Sequence, residues 1–299
     1  MPTGNLPRVT PEERFALDAA GLGDRPARVF DAAGAGTALI VDVTPGEKLD
    51  VWAAARAAVG ESGRWPVLVR RDDEDDLFSR FYFEEGADGA DSDPAAVLAR
   101  AETIDVDDRI ARMHARYLAA ADALPDYARS VTLARYGEAP PLAQIRAAAV
   151  DAASVDLAVE RHLYDWEHGR EPVTEPDQGV QEWFGEDDDV MLALLPSPHP
   201  WAVFAYVDAL YDTCGYGQDL LTAAARRWYE RHGAEPVAAL GVMTWFAVTR
   251  PPTSPDEAWN AAAEHYALAE NTFSTPGISV REHARTLSGA DRWVLFSRP

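Results

Sequence analysis

Five residues in the C-terminal third of the chain have side chains that could take part in catalysis: Asp212, Cys214, His232, Glu264 and Tyr266. Cys214 is the only cysteine in the sequence. A cysteine nucleophile needs a base within hydrogen-bond reach and an electropositive setting that favours the thiolate. The local sequence around Cys214 is acidic instead, so a buried cysteine or one in a turn is the competing interpretation.

Glu264 offers a second kind of chemistry, because its side chain could face a pocket together with Tyr216 or His265. General acid–base catalysis by paired acids needs a second carboxylate at a defined separation. The sequence alone does not place such a partner. The competing interpretation is a glutamate on the solvated side of the helix, and both interpretations stay open at this point.

The familiar motifs that hold metals or cofactors do not occur in the sequence. His162 and His168 have acidic neighbours, but two ligands on one helix need a spacing of three or four residues, and these histidines are six apart. There is no Gly-x-Gly-x-x-Gly, phosphate-binding loop, His-Glu-x-x-His or Gly-x-Ser-x-Gly pattern. We therefore expect no metal and no cofactor.

The net charge is the unusual property of the composition. The 299 residues include 50 acidic and 27 basic side chains, which gives a formal charge of −23. This charge disfavours nucleic-acid binding, because the phosphates would be repelled. The acidic runs Asp72–Asp76 and Glu186–Asp189 could dock a protein partner with a basic surface, or they could be solvated turns. A GC-rich or salt-tolerant genome would also produce such a composition.

The sequence predicts a cytoplasmic protein without a membrane interaction. No apolar run approaches the roughly 18 residues that are needed to cross a bilayer, and the first residues have no apolar signal region. The 47% of hydrophobic residues and the nine tryptophans are instead typical of a folded chain with a sizeable core.

Four helix beginnings carry the same capping signature. Thr10, Thr44, Ser254 and Ser279 are each followed three residues later by a glutamate, an arrangement in which the hydroxyl and the carboxylate satisfy each other's backbone N–H groups. An amphipathic helix that starts near Asp219 and a mostly helical stretch over residues 94–169 add to these. Short apolar runs predict strands at 37–43, 65–69, 190–195, 236–240, 242–248 and 293–296.

Together these elements predict an α+β fold with short mixed sheets flanked by helices. We divide the chain into an N-terminal α/β unit at 1–93, a helical region and linker at 94–185, and a C-terminal α+β domain at 186–299. Ala53–Arg56, Gly63 and Pro66–Val67 recur at an offset of 170 residues. This recurrence predicts two related strand–helix–strand units separated by the helical region.

The C-terminal third also resembles a known family. Its motifs are Asp212–Cys214 after an aromatic residue, Trp228–Ala234, Arg250–Thr253 and Ala263–Tyr266, with Trp293 near the end. From Leu194 onward these residues resemble the bacterial domain-of-unknown-function family 4253. The resemblance implies an α+β domain and no established activity.

The functional prediction follows from the acidic charge and the missing catalytic motifs. The leading hypothesis is a non-catalytic, acidic, cytoplasmic protein that binds a macromolecular partner with a basic surface, as an immunity protein does. The alternative is an enzyme of unknown reaction with a site near Cys214, Glu264 and Tyr266.

Overall fold

The computed structural model describes residues 9–32, 35–71, 93–114, 124–150, 152, 154–174, 184–185, 189–207, 209–210, 217–275 and 277–298. Its helices are α1 (Pro11–Ala19), α2 (Lys48–Ala57), α3 (Val59–Ser62), α4 (Pro94–Ala101), α5 (Val106–His114), α6 (Leu124–Tyr136), α7 (Leu142–Ala149), α8 (Val155–Glu167), α9 (Val203–Tyr206), α10 (Gln218–His232), α11 (Pro255–Leu268), α12 (Asn271–Ser274) and α13 (Val280–Leu287). Its strands are β1 (Ala27–Asp31), β2 (Thr37–Asp42), β3 (Trp65–Arg70), β4 (Val190–Leu195), β5 (Ala234–Leu240), β6 (Met243–Val248) and β7 (Arg292–Phe296). The fold class is α+β, as the sequence predicts.

The chain divides into two compact units, each built from separate segments. The sheet unit comprises Met1–Ile104, Glu182–Thr249 and Arg292–Pro299, and the helical unit comprises Asp105–Gln181 and Arg250–Asp291. These units group residues by contact, whereas the division predicted at residues 93 and 185 follows the order of the chain. That three-part division therefore stays a prediction.

Within the described residues of the sheet unit, seven strands form one mixed sheet in the order β1-β2-β4-β3-β5-β6-β7. The β3–β5 pair is parallel and every other neighbouring pair is antiparallel. The predicted strands thus join one sheet rather than several short ones. β4 inserts between β2 and β3, and all six of its residues are buried apolar side chains, as expected for a central strand.

Glycines in the left-handed conformation end two helical segments of the sheet unit. Gly63 follows α3 with φ 66° and Gly233 follows α10 with φ 59°. Only glycine adopts this region without steric cost. Gly63 lies two residues before β3 and Gly233 directly precedes β5. These two strands pair through Leu68 with Ala238 and Val69 with Ala239. The pairing register is therefore the same 170-residue offset that the sequence recurrence has.

The helical unit packs its helices around an apolar cluster and a charged one. α8 packs against α6, α7 and α13, and α11 packs against α13. The apolar cluster consists of Ala128, Ile145, Val159 and Leu163, which are all fully buried. They lie within the stretch 94–169 that was predicted to be mostly helical, and the helical period of 3.6 residues places them on the packed faces of α6, α7 and α8.

All four predicted capping signatures are confirmed. The boxes at Thr10, Ser254 and Ser279 start α1, α11 and α13, and the box at Thr44 starts a 3-10 turn, Pro45–Glu47, that continues into α2. Within the predicted mostly helical stretch 94–169, the described residue Ala152 lies between α7 and α8 and not in a helix. No helix within the described residues is both long and apolar enough to cross a membrane.

One strand of the sheet, β1, was not predicted. Its five residues form a short run that is interrupted by the charged Arg28 and ends on Asp31. Arg28 bonds to Asp42 on the neighbouring β2. The acidic run Asp72–Asp76 lies outside the described residues.

Candidate functional site

The five predicted candidates fall in different parts of the chain. Asp212 and Cys214 lie outside the described residues. His232 is the last residue of α10 in the sheet unit, where it is buried and its ring meets that of Trp293 at 5.3 Å. Glu264 and Tyr266 lie on α11 in the helical unit. The catalytic role of this set therefore stays a prediction.

His232 belongs to an aromatic cluster that fills the core of the sheet unit. Trp228 lies edge-on to Phe246 at 5.7 Å and to Trp293 at 6.4 Å. Trp228 and Phe246 are essentially inaccessible to solvent. Such edge-to-face contacts stabilise a core beyond the burial of area alone, and His232 joins this cluster through the ring of Trp293.

Glu264 and Tyr266 project from different sides of α11, because residues two apart on a helix do not share a face. Glu264 is only 7% exposed, so the interpretation as a solvated helix glutamate is wrong. Tyr266 lines a cavity of about 270 Å³ within the helical unit. Of the predicted candidates that the structure describes, Tyr266 is the one that lines this cavity.

Residues of α6, α8 and α11–α13 and of the adjoining turns line this cavity, and local sequence signals fix where two of these helices begin. Ser154 accepts a hydrogen bond from the N–H of Leu157 at 3.3 Å and so starts α8, which puts Asp156 in its first turn. The box of Ser279 and Glu282 starts α13, which puts Arg281 at its second position. The cavity is thus positioned by two N-caps.

Three members of a buried ion cluster, Glu160, Arg281 and Glu282, line the cavity. Arg281 is 2% exposed and binds Glu160, and its Nε lies 3.1 Å from an Oε1 of Glu167. Arg285 also pairs with Glu167, and Arg135 pairs with Glu282. Three arginines thus meet three glutamates. A buried ionic set costs least when its charges cancel in this way.

The cavity also holds two carboxylates outside this cluster, Asp156 and Glu270. Burial raises the pKa of Asp156 above its usual value, and the negative charge of Glu270 raises it further. Burial also raises the pKa of Tyr266 to about 12, with smaller contributions from the charges of Asp156, Glu270 and Glu160. The cavity is therefore a site of negative potential.

Sequence reasoning missed Asp156, Glu160, Glu270 and Arg281, although one signal was present. Arg281 and Arg285 are four residues apart, and Glu160 and Glu167 are seven apart, so each pair lies along one helix face. Two charged stripes of opposite sign on helices without other reason to be polar indicate a buried ionic contact. Glu270 follows α11 and carries no such signal.

The described residues contain no group of three or more His, Cys, Asp or Glu side chains that could hold a metal ion. Histidines instead meet each other, since Nδ1 of His265 and Nε2 of His283 are 3.1 Å apart in the buried interior of the helical unit. The expectation that the protein uses no metal and no cofactor stays a prediction.

The fold and this cavity define an α+β protein with a mixed sheet and an acidic cavity among helices. Residues 191–296, the C-terminal third, match the model of the domain of unknown function DUF4253. This match confirms the resemblance that the sequence motifs indicated. No curated protein and no solved structure gives a significant match to the chain.

The matched segment contributes to both units, because it runs from β4 through α11–α13 to β7. It contains Tyr266, Glu270 and Arg281 of the cavity, whereas Asp156 and Glu160 lie outside it. The cavity thus combines residues of the matched segment with residues that precede it.

Proposed function

We propose that this protein is cytoplasmic and non-catalytic and binds a macromolecular partner with a basic surface, as an immunity protein binds its toxin. The observation that carries the proposal is the formal charge of −23. A field of this size steers an oppositely charged partner toward the surface and raises the rate of association. It also repels nucleic acid and anionic membranes, which the proposal excludes as partners.

Several arginines are paired with carboxylates of the same chain, and this supports the proposal that the surface is acidic. Arg281 is buried in the helical unit, and Arg135 pairs with the buried Glu282. In the sheet unit Arg28 and Arg71 both bind Asp42, with N–O distances of 3.0 and 2.6 Å. Positive charges that are held against carboxylates of the same chain are less available to a partner, so the carboxylates in excess dominate the long-range field.

The acidic run Glu186–Asp189 is a candidate part of the docking surface. Its last residue, Asp189, is exposed and accepts a hydrogen bond from Nε of Arg71 at 2.8 Å. That contact anchors one end of the run next to β4. The other residues of the run lie outside the described residues.

A repeated unit belongs to the same proposal. α2–α3 with Gly63 and β3 would be one copy, and α10 with Gly233 and β5 would be the other. The left-handed glycines and the 170-residue register between β3 and β5 support it. Duplication of a strand–helix–strand unit would explain why β3 and β5, the last strands of the two copies, pair in parallel.

A zero-length carbodiimide cross-link tests the partner proposal directly, because the reagent joins carboxylates to amines. Lys48 is the only lysine of the chain and is 5% exposed, with its Nζ 2.5 Å from the carbonyl of Gly185. Cross-links between two copies of the chain are therefore suppressed. Conjugates formed in cytoplasmic extract of the producing organism at low salt should contain a basic protein.

The captured protein is then purified, and its affinity is measured by calorimetry at low and at physiological ionic strength. The proposal expects the affinity to fall as salt rises, because salt screens the charges that attract the partner. A partner that binds equally well at both salt concentrations, or the absence of any conjugate with a basic protein, would overturn the proposal.

A further inference from the structure

The cavity of the helical unit has the size and shape of a small-ligand site. Its volume of about 270 Å³ lies just below the range of ligand pockets for drug-sized molecules, roughly 300–1,000 Å³, and so suits a smaller ligand. Tyr127, Ser274 and Gly277 of its lining are exposed. The cavity therefore opens to solvent at these residues, and a ligand of a few heavy atoms can enter without unfolding a helix.

The charges of the lining do not cancel. Glu160 is neutralised by Arg281 and Glu282 by Arg135. Among the described residues, no arginine, lysine or histidine forms an ion pair with the two remaining carboxylates, Asp156 and Glu270. The cavity therefore carries a net charge of −2 when both are ionised.

The aromatic side chains of Tyr127, Tyr266 and Phe273 also line the cavity. Tyr266 and Phe273 meet edge-on, with ring centroids 5.3 Å apart, and Tyr127 stands at the mouth with 66% of its surface exposed. The negative faces of such rings attract a cation, most strongly where water is partly excluded. Rings and carboxylates together form the lining that organic cations prefer over inorganic ones.

We propose that this cavity binds a small organic cation, an alkylammonium or a guanidinium group, with its charge between Asp156 and Glu270 and its carbon chain against Tyr266 and Phe273. An anion is excluded by the two carboxylates. A divalent metal ion would need more ligands than these two, and the described residues offer no such group. A neutral ligand would leave the repulsion between the carboxylates in place.

The cation has two possible sources with the same chemistry. It is either a free amine or the side chain of a lysine or arginine on another protein. In the second case the inference rests on the proposed function, since the basic partner would insert that side chain. A free amine needs no partner and goes beyond the proposed function.

Calorimetry with matched four-carbon compounds tests the cavity in the unmodified protein. The probes are n-butylammonium, n-butylguanidinium and the neutral n-butanol, together with a short blocked peptide that contains one lysine. We expect saturable binding of at least one of the two cations and none of n-butanol at the same concentration. Butanol that binds as tightly as the cations, or no saturable binding by any probe, overturns the inference.

Two variants locate the binding at the carboxylates. Asp156→Asn and Glu270→Gln should each weaken cation binding about tenfold or more, because each removes one charged acceptor. Asp165→Asn is the matched control, since Asp165 is an exposed carboxylate on the same helix as Asp156 and pairs with Arg161. Equal weakening in the control would show a non-specific effect of charge and would overturn the assignment.

Two further measurements are needed: the melting temperature of each variant shows whether it folds, and the comparison of the free amine with the peptide identifies the source of the cation. Asp156→Asn should melt no lower than the unmodified protein, because burial and Glu270 already disfavour the ionised Asp156. Glu270→Gln keeps the test valid if the first variant is unstable. Binding of the free amine but not of the peptide assigns a small molecule, and binding of the peptide assigns a protein side chain. The failure of the cavity inference is distinguishable from the failure of the proposed function. If no probe binds the cavity, but Asp156→Asn and Glu270→Gln still cross-link to a basic protein, the cavity inference is wrong and the proposed function stands.

Discussion

The interiors of the two units are built on opposite principles. The centre of the sheet unit is apolar, with β4 fully buried and Trp228, Phe246 and Trp293 packed together. The helical unit instead buries Arg281 among carboxylates. The difference follows from geometry: a central strand presents short apolar side chains to both faces of a sheet. Neighbouring helices leave room for long side chains whose charged ends meet between them.

Loss of the central arginine should have the largest effect. Arg281→Ala leaves Glu160 buried beside Glu167 without its cation, and we expect a loss of about 3–5 kcal/mol in the free energy of unfolding, measured by urea denaturation. A combined replacement of Arg281 by Met and Glu160 by Leu should recover most of this loss, because Glu167 keeps its pair with Arg285. A double variant that is no more stable than the single one would mean that the cluster stabilises by its geometry and not merely by its neutrality.

The buried histidine pair should make the stability of the helical unit depend on pH. Burial lowers the pKa of His283 to about 4, from an unfolded value near 6.5. Between these values the unfolded chain binds a proton that the folded chain rejects, so stability falls as the pH drops from about 6.5 to about 4, by on the order of 3 kcal/mol. Urea denaturation across this window should show a shallower decline in His283→Gln, and an unchanged slope in that variant would contradict the assignment to His283.

The two left-handed glycines of the sheet unit should respond alike. Gly63→Ala and Gly233→Ala each force an L-residue to positive φ and should cost about 1–2 kcal/mol. Gly60→Ala is the control of opposite sign, because Gly60 lies inside α3 with open space around it, and alanine there should be neutral or stabilising. Thermal melts compare the three. Clearly different costs at Gly63 and Gly233 would argue against two equivalent copies of one unit.

An exposed ion pair should have the smallest effect. Arg226 and Glu230 are 2.8 Å apart on α10, with about half of each side chain exposed. Glu230→Gln should cost about 0.3–0.5 kcal/mol in low salt and less in high salt. A cost near that of Arg281→Ala would remove the contrast between surface pairs and the buried cluster.

Local signals in the sequence predicted most of the elements correctly. The capping boxes fixed the starts of α11 and α13, because a cap depends only on residues within one turn. The apolar runs likewise predicted β4 and the hairpin of β5 and β6. The order of the strands was not predictable in this way, because the insertion of β4 between β2 and β3 depends on packing between distant parts of the chain.

The charged interior and the cavity were harder to predict for a physical reason. Hydrophobic periodicity assigns every charged residue to the surface, so Arg281 and Glu160 appear as solvated positions until their partners are known. Tyr266 was among the predicted candidates, on the same predicted helix as Glu264. Asp156 lies on α8, more than 100 residues before Tyr266, so only the packing of the helical unit brings it into the same cavity, and no local pattern encodes that.

The position of β4 in the sheet also has a consequence for protein synthesis. β2 and β3 both have β4 as a neighbour in the sheet, yet Val190 leaves the ribosome roughly 150 residues after Asp42, which takes roughly 7–30 s at ordinary rates of translation. During that time β2 pairs only with β1, and β3 has no strand beside it. The nascent chain is therefore an expected client of chaperones that bind early, long before the terminal β7 closes the edge next to β6.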